Sequence, residues 1–130
     1  MTSTNWIDLR QDADTGIETI RAHFEGHAYD PHWHDSYLVG FTEQGVQQFH
    51  CRRARHDSTP GNLFLVEPGE IHDGHAPIEG GFTYSLLYLD PDWLQHELRQ
   101  FGAADATSGE PGFASTLVDD TRLIAAIARA

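Results

Sequence analysis

Three histidines are spaced for a shared task. In DPHWHDSYLVG (30–40), His32 and His34 sit two apart, and Pro31 precedes the first. Positions two apart on an extended chain point the same way, and a proline favours extension before it. His72 follows the turn EPGE (67–70), and a closing barrel would bring it to the other two. Three imidazoles turned inward form a competent site for Zn, Ni, Fe or Cu, with open positions for further ligands. Each ring would bind neutral and would need an acceptor for its other nitrogen. Asp30, Asp35 and Asp73 stand nearby in the sequence.

Small-molecule pockets are mostly apolar with a few polar groups, and the remaining candidates fit that description. FTYSLLYL (82–89) alternates as a strand, with Phe82, Tyr84, Leu86 and Tyr88 on the face expected to line a pocket. Leu87 and Leu89 fall on the opposite face, suited to packing beneath a helix. Tyr37 is placed to reach the lumen from the mouth. In VQQFHCR (46–52), Gln48 and His50 share one face and Phe49 and Cys51 the other; Gln48 and His50 are the pair assigned to the pocket.

The elements that must position these groups are short strands broken by Gly and Pro turns, the pattern of a β-sandwich or barrel. Residues 1–16 read as an irregular lead-in. Residues 17–101 read as the barrel and a helix packed on it. Strands are expected at GIETIRAHFEG, YLVGFT, VQQFHCR and LFLV, with turns at 43–45 and 52–62. Asp90 reads as an N-cap, Pro91 as the first helical residue, Leu94, Leu98 and Phe101 as the apolar stripe, and Gly102 as the C-cap. Residues 102–130 read as a linker and the start of a second helix from Asp119 or Asp120. Its Leu123, Ile124 and Ile127 have no evident partner, so the chain is expected to be a fragment of a longer protein.

Charge narrows the function further. The chain of 130 residues carries 20 acidic and 8 basic side chains, a formal net charge of -12, and all the basic ones are Arg. With no lysine, Schiff-base and P-loop lysine chemistry are excluded within the chain. Direct nucleic-acid binding is disfavoured, because it needs clustered positive charge. One cysteine, Cys51, allows no internal disulfide. The N-terminus lacks the basic and apolar regions of a secretory signal, and no run is long enough to span a bilayer. A cytoplasmic protein without membrane contact is expected.

The motifs also resemble a family. Gly26, His32-x-His34 and Gly45 match the first motif of the cupin barrel, and Gly61 with Gly69-x-x-His72 matches the second. The glutamate that metal-binding cupins place after the second histidine, with three or four residues between, is replaced here, by Leu38 or Val39. More closely, residues 62–98 resemble the N-terminal sensing domain of AraC-type transcription regulators. The shared features are the Pro-Gly-Glu-Ile-His turn, an aromatic strand ending in Tyr-Leu, then Asp-Pro and an amphipathic helix. The resemblance implies a mainly β, cupin-like jelly-roll barrel (a double-stranded β-helix) with one or two C-terminal helices. It implies a small-molecule effector in the barrel, a homodimer in the intact protein, and DNA binding only through a separate helix-turn-helix domain absent from this chain. It implies a sensor and no catalysis. With the carboxylate lost, His32, His34 and His72 read as a polar pocket wall before they read as a metal site. No cofactor is required, and a divalent transition metal (Zn, Ni or Fe) is the candidate. The alternative is a small metal-dependent cupin enzyme, an oxygenase or isomerase, using the same three histidines.

Overall fold

The computed structural model describes residues 5–100 and 112–129. In chain order it contains β1 (Trp6–Gln11), β2 (Glu18–Phe24), β3 (His27–His32), β4 (Tyr37–Gly45), β5 (Gln47–Cys51) and β6 (Ala54–Ser58). Then come β7 (Leu63–Val66), β8 (His72–His75), β9 (Phe82–Leu89), α1 (Pro91–Gln100), β10 (Leu117–Val118) and α2 (Thr121–Ala128). The strands form two antiparallel sheets, one ordered β1-β2-β9-β4-β7-β10 and the other β3-β8-β5-β6. This is the mainly β jelly-roll barrel that the sequence predicts.

Period-2 patterning sets the lumen. Tyr84 and Leu86 of β9 join Leu38 of β4, Phe64 and Val66 of β7 and Phe49 of β5 in one buried cluster. The outer face of the six-stranded sheet is covered as well. Val39, Phe41 and Leu63 pack there with Ile127 of α2, flanked by Leu87, Leu89 and Phe113. With both faces covered, β4 is buried at every position from Tyr37 to Thr42, where a half-covered strand would alternate.

Several local expectations are corrected. The lead-in contains β1, an edge strand registered from Trp6 opposite His23 to Gln11 opposite Glu18. All of its residues are exposed, so no burial pattern marks it in the sequence. Residues 43–45 continue β4 past a bulge rather than turning. Within 52–62, ARHDS forms β6 against β5; as a sheet edge it needs little apolar content. Asp90 does cap α1, accepting from the Trp93 N–H at 3.0 Å, but α1 buries no residue fully. The helix over Leu87 and Leu89 is α2. Its apolar face is not left without a partner: Ile127 is buried and Ile124 packs beside it. Phe101, the Gly102 cap and linker residues 103–111 lie outside the described residues.

Two glycines make room for the rings that shape the lumen. Gly40 stands opposite Phe64 in the β4–β7 register, and a Cβ on it would lie 2.6 Å from that ring. Gly74 stands opposite Tyr29 in the β3–β8 register, and a Cβ there would lie 2.2 Å from its ring. In both pairs an aromatic ring crosses the partner strand where only a hydrogen permits it.

The β5–β6 hairpin turns through Arg52 (φ 53°) and Arg53 (φ 61°), both left-handed. Two-residue hairpins require this conformation, and Asn-Gly usually supplies it. Other L-residues lose about 1–2 kcal/mol each there. Arg52 is held by its side chain. Its guanidinium pairs with Glu67, donates to Glu70 at 2.7 Å and donates to the Phe113 carbonyl at 2.9 Å. Glu67 also accepts the Phe113 N–H at 2.8 Å, and Glu70 accepts the Glu67 N–H at 2.7 Å. One side chain thus joins the hairpin, the 67–70 turn and the segment leading to α2.

Two stability predictions follow from these contacts. Arg52→Gly and Arg53→Gly make the same backbone exchange, but only the first removes the ion pairs. Urea unfolding is expected to place Arg52→Gly below Arg53→Gly by about 1–3 kcal/mol; equal stabilities would show that the network contributes nothing. Gly40→Ala is expected to lose about 1–3 kcal/mol by forcing the Phe64 ring aside, and a wild-type urea midpoint would refute that packing argument.

Candidate functional site

His32 ends β3 and His72 opens β8, directly opposite each other in register. His34 lies on the link to β4, and its carbonyl accepts the Gly69 N–H at 2.9 Å. The 67–70 turn therefore fixes His34 while leading the chain into His72. Ring centroids are 4.5 Å apart for His32 and His72, 4.7 Å for His32 and His34, and 5.4 Å for His34 and His72. Their ligating nitrogens all lie within 4.8 Å of one another.

Hydrogen bonding assigns the tautomers of two rings. His32 Nδ1 lies 2.7 Å from the Asp30 carbonyl, and His72 Nδ1 lies 3.1 Å from the Glu70 carbonyl. A carbonyl only accepts, so each Nδ1 carries hydrogen and donates it, leaving Nε2 with a free lone pair. Backbone carbonyls thus fill the role expected of aspartate side chains. The Asp30 carboxylate contacts His27 at 2.8 Å instead, and the Asp73 carboxylate lies 3.1 Å from His50.

Burial lowers the pKa of His72 below its ordinary 6.5, reinforced by His32 and His34 and opposed by the bond to the Glu70 carbonyl. Burial, then His32, lowers that of His34, against a smaller upward pull from Asp35. Both rings are therefore neutral at pH 7, the form that coordinates metals. The donor set is three imidazoles, and Leu38 lines the same cavity, which no Asp or Glu lines. The cluster can hold a divalent transition metal.

The triad borders a cavity of about 170 Å³ between the two sheets. Of the ten sequence candidates, His32, His34, His72, Tyr84, Leu86 and Tyr88 line it. Four do not. Tyr37 is fully buried on the outer face of β4, its ring 5.5 Å from Phe113; it shares the parity of Val39 and Phe41, opposite to Leu38. Gln48 and His50 point out of the barrel, bonded to Asp57 at 3.1 Å and to Asp73 respectively. The β5 alternation was read correctly and its faces were reversed. Phe82 faces inward but is fully buried against Phe24 and Tyr84, filling the end of β9 far from the mouth.

The sequence reading missed Tyr29, Leu38, Gln47, Phe49, Phe64 and Val66 as lining residues. Parity offered a signal for some of them: Gln47 and Phe49 alternate with Gln48 and His50, and Phe64 and Val66 alternate within a run that looked uniformly apolar, whereas Tyr29 lies an odd step from His32 and turns inward only through the register irregularity between them. Beyond His34 and Tyr88 the cavity meets a wider cleft that reaches Leu9, Ile20, Asp35 and Trp93.

Comparison with known proteins agrees with this geometry. An uncharacterized HTH-type transcriptional regulator, YbfI of Bacillus subtilis (strain 168), is 27% identical over 94 residues, which cover 71% of this chain and 34% of that protein. The chain thus spans about a third of the length of this relative. Similar solved structures include KdgF from Halomonas sp., at 17% identity and TM-score 0.56, covering 69% of this chain and 83% of that one. They also include oxalate decarboxylase of Bacillus subtilis, described with Mn(II) centres, at 17% identity and TM-score 0.60, covering 92% of this chain and 39% of that one. Identity this low speaks for the fold alone, the cupin barrel. The model of the AraC-like ligand binding domain matches residues 14–130, and this chain belongs to that family.

Proposed function

We propose that this chain is the effector-sensing domain of an AraC-type transcription regulator, with a small molecule held in the barrel. DNA would be bound by a separate helix-turn-helix domain, in a homodimer and in the cytoplasm. The observation that carries the reading is the cavity itself: small, set between both sheets, and edged by three histidines, two of them poised with a free Nε2. A sensor needs two states with different affinity for the ligand. The six-stranded sheet offers a direct route. Leu38 and Leu86 touch the cavity, while Val39 and Leu87, their neighbours in β4 and β9, pack on the outer face that α2 covers. An occupant that shifts these strands shifts the seat of α2.

The test is a DNA-binding titration of the full-length regulator with and without an effector found by thermal-shift screening. The expected change in DNA affinity is about 5–150-fold, the usual span of allosteric coupling. Leu86→Trp, which fills the lumen, is expected to abolish it. A ligand that binds the barrel but leaves DNA affinity unchanged sinks the sensor reading.

A second reading rests on the geometry of the triad, whose ligating nitrogens lie within 4.8 Å of one another: His32, His34 and His72 hold Zn, Ni or Fe, two of them through the Nε2 atoms that the backbone bonds leave free. Such an ion would supply a Lewis acid with open positions. It would serve effector capture in a sensor, or catalysis if the barrel is instead a small metal-dependent oxygenase or isomerase. Metal analysis of the purified chain is expected to find near-stoichiometric metal, lost in His72→Ala.

Protons compete with the metal for the rings. Because His34 and His72 titrate below 6.5, metal affinity is expected to stay nearly level from pH 8 to 7 and to fall as the pH drops below about 6.5. The same shift makes the metal-free fold less stable on acidification. The unfolded chain takes up these protons first, so their contribution is complete above 6.5 and disappears as the pH falls through the lowered folded values. Metal affinity that already falls steeply between pH 8 and 7 would contradict the lowered pKa of His34 and His72.

A further inference from the structure

β1 (Trp6–Gln11) is an open edge of the six-stranded sheet. It runs beside β2 without a bulge, contains no proline and is exposed at every position. A long, regular edge presents unpaired N–H and C=O groups to any second strand, and folded proteins commonly blunt such edges. The other edges are blunted. β3 carries Pro31 and two register irregularities, β10 is two residues long, and β6 has no large apolar residue. β1 instead carries Ile7 and Leu9, 63% and 60% exposed. They stand opposite Ala22 and Ile20 of β2, on the lumen side of the sheet, where Ala22 and Ile20 meet the core and Ile7 and Leu9 remain uncovered.

The strand WIDLRQ fits a copy of itself. Opposed residues of an antiparallel pair share a face, so only registers that keep side-chain parity join two copies into one sheet. Two such registers overlap most of the strand. One sets Asp8 against its own copy. The other puts Leu9 on the two-fold axis, facing its own copy, and sets Asp8 of each chain against Arg10 of the other. Like charges directly opposed destabilise a sheet and opposite charges stabilise it, which selects the second register. It extends rows already present. Glu43 pairs with Arg21, and Arg21 stands opposite Asp8; the second copy's Arg10 continues this alternation of sign across the outer face. On the lumen side, the row of Ile20 and Leu9 continues into the same two residues of the second copy. Asp8 and Arg10 also lie 3.3 Å apart within the strand, 49% and 78% exposed, so two copies bring these pairs together as a square of alternating charge. On a chain of net charge -12, β1 holds one acid and one base. A locally neutral strand adds none of the repulsion that the acidic surface brings to self-association.

We propose that β1 is a contact between two copies of this chain, paired antiparallel about a two-fold axis at Leu9 so that their two sheets become one. The contact is isologous: the same strand serves both partners, and the assembly closes as a dimer. Main-chain hydrogen bonds hold it, and the side chains set its register. This rests on the homodimer part of the reading above and gives that homodimer a surface; the ligand and DNA parts do not depend on it.

Sedimentation of the purified chain over a concentration series is expected to show a monomer–dimer equilibrium. Asp8→Arg or Arg10→Asp alone opposes like charges twice in each dimer, and each is expected to weaken dimerisation at least about tenfold. Two further measurements separate pairing between copies from the pair within one strand. An equal mixture of the two variants restores opposite charges between copies although neither chain has its internal pair; it is expected to dimerise at least as tightly as the native chain. The double variant Asp8→Arg/Arg10→Asp is expected to dimerise as well, whereas it would keep like charges opposed if position 8 faced its own copy. Leu9→Lys sets two ammonium groups against each other on the axis and is expected to leave a monomer with native circular dichroism. A native chain that is monomeric at every concentration, a dimer indifferent to either charge reversal, or a mixture that stays monomeric would each overturn the inference. If a charge variant does not fold, Leu9→Lys against the native chain decides alone. The homodimer is judged separately, on the full-length regulator: a dimeric regulator built on a chain that stays monomeric keeps the homodimer and loses the β1 contact.

Discussion

The guanidinium of Arg52 is the contact on which the geometry of the site depends. It reaches from a strained hairpin to Glu67 and Glu70, the ends of one tight turn, and to the Phe113 carbonyl. That turn does two jobs. Its Gly69 N–H holds the His34 carbonyl, and its last residue presents the carbonyl that fixes His72. The arginine is only partly exposed, so its ion pairs are less screened than surface ones. They offset the left-handed backbone that the same residue must adopt. A glycine at 52 would suit the backbone and lose the tie; the arginine accepts local strain in return for fixing a turn remote in sequence.

The cavity behind the triad follows from packing constraints of a different kind. Gly40 and Gly74 face Phe64 and Tyr29 across strand pairs, so each ring lies over a backbone hydrogen and is held at a fixed height in the lumen. Phe82 and Phe24 fill one end. What remains is an aromatic chamber with a polar group at each end: the imidazoles and the amide of Gln47. The chain carries a net charge of -12, yet none of that charge lines the chamber. The acid lies outside, where water solvates it.

Much of this was present in the sequence, and what was lost can be traced to parity. β9 and β7 read directly, because their apolar runs are bounded by turn residues. The three histidines read from their spacing around a Pro-Gly turn. Gln48 and His50 were placed inward because they are polar and polar groups were sought for a pocket; the fold instead turns Gln47 and Phe49 inward. Tyr37 was misplaced for a similar reason. In a strand covered on both faces, burial carries no phase, and only the register with β7 and β9 separates Leu38 from Tyr37. β1 and β6 are edge strands with exposed or polar residues, and their identity comes from backbone pairing that composition does not encode. The partner of Ile124 and Ile127 in α2 was not legible in the sequence, because the outer face of the sheet that receives them could not be foreseen.

Leu38 links the metal question to the charge of the ligand. Three neutral imidazoles leave a divalent ion with its full charge, whereas a carboxylate in place of Leu38 would have halved the net positive charge at the site. A bound ion would then be the largest local charge in an otherwise uncharged chamber and would draw an anionic group to the open positions. Without the ion, the same rings would offer lone pairs to a neutral donor. With leucine at 38, the charge of the best-fitting molecule would therefore depend on whether the triad holds an ion: a neutral donor when it does not, an anionic group when it does.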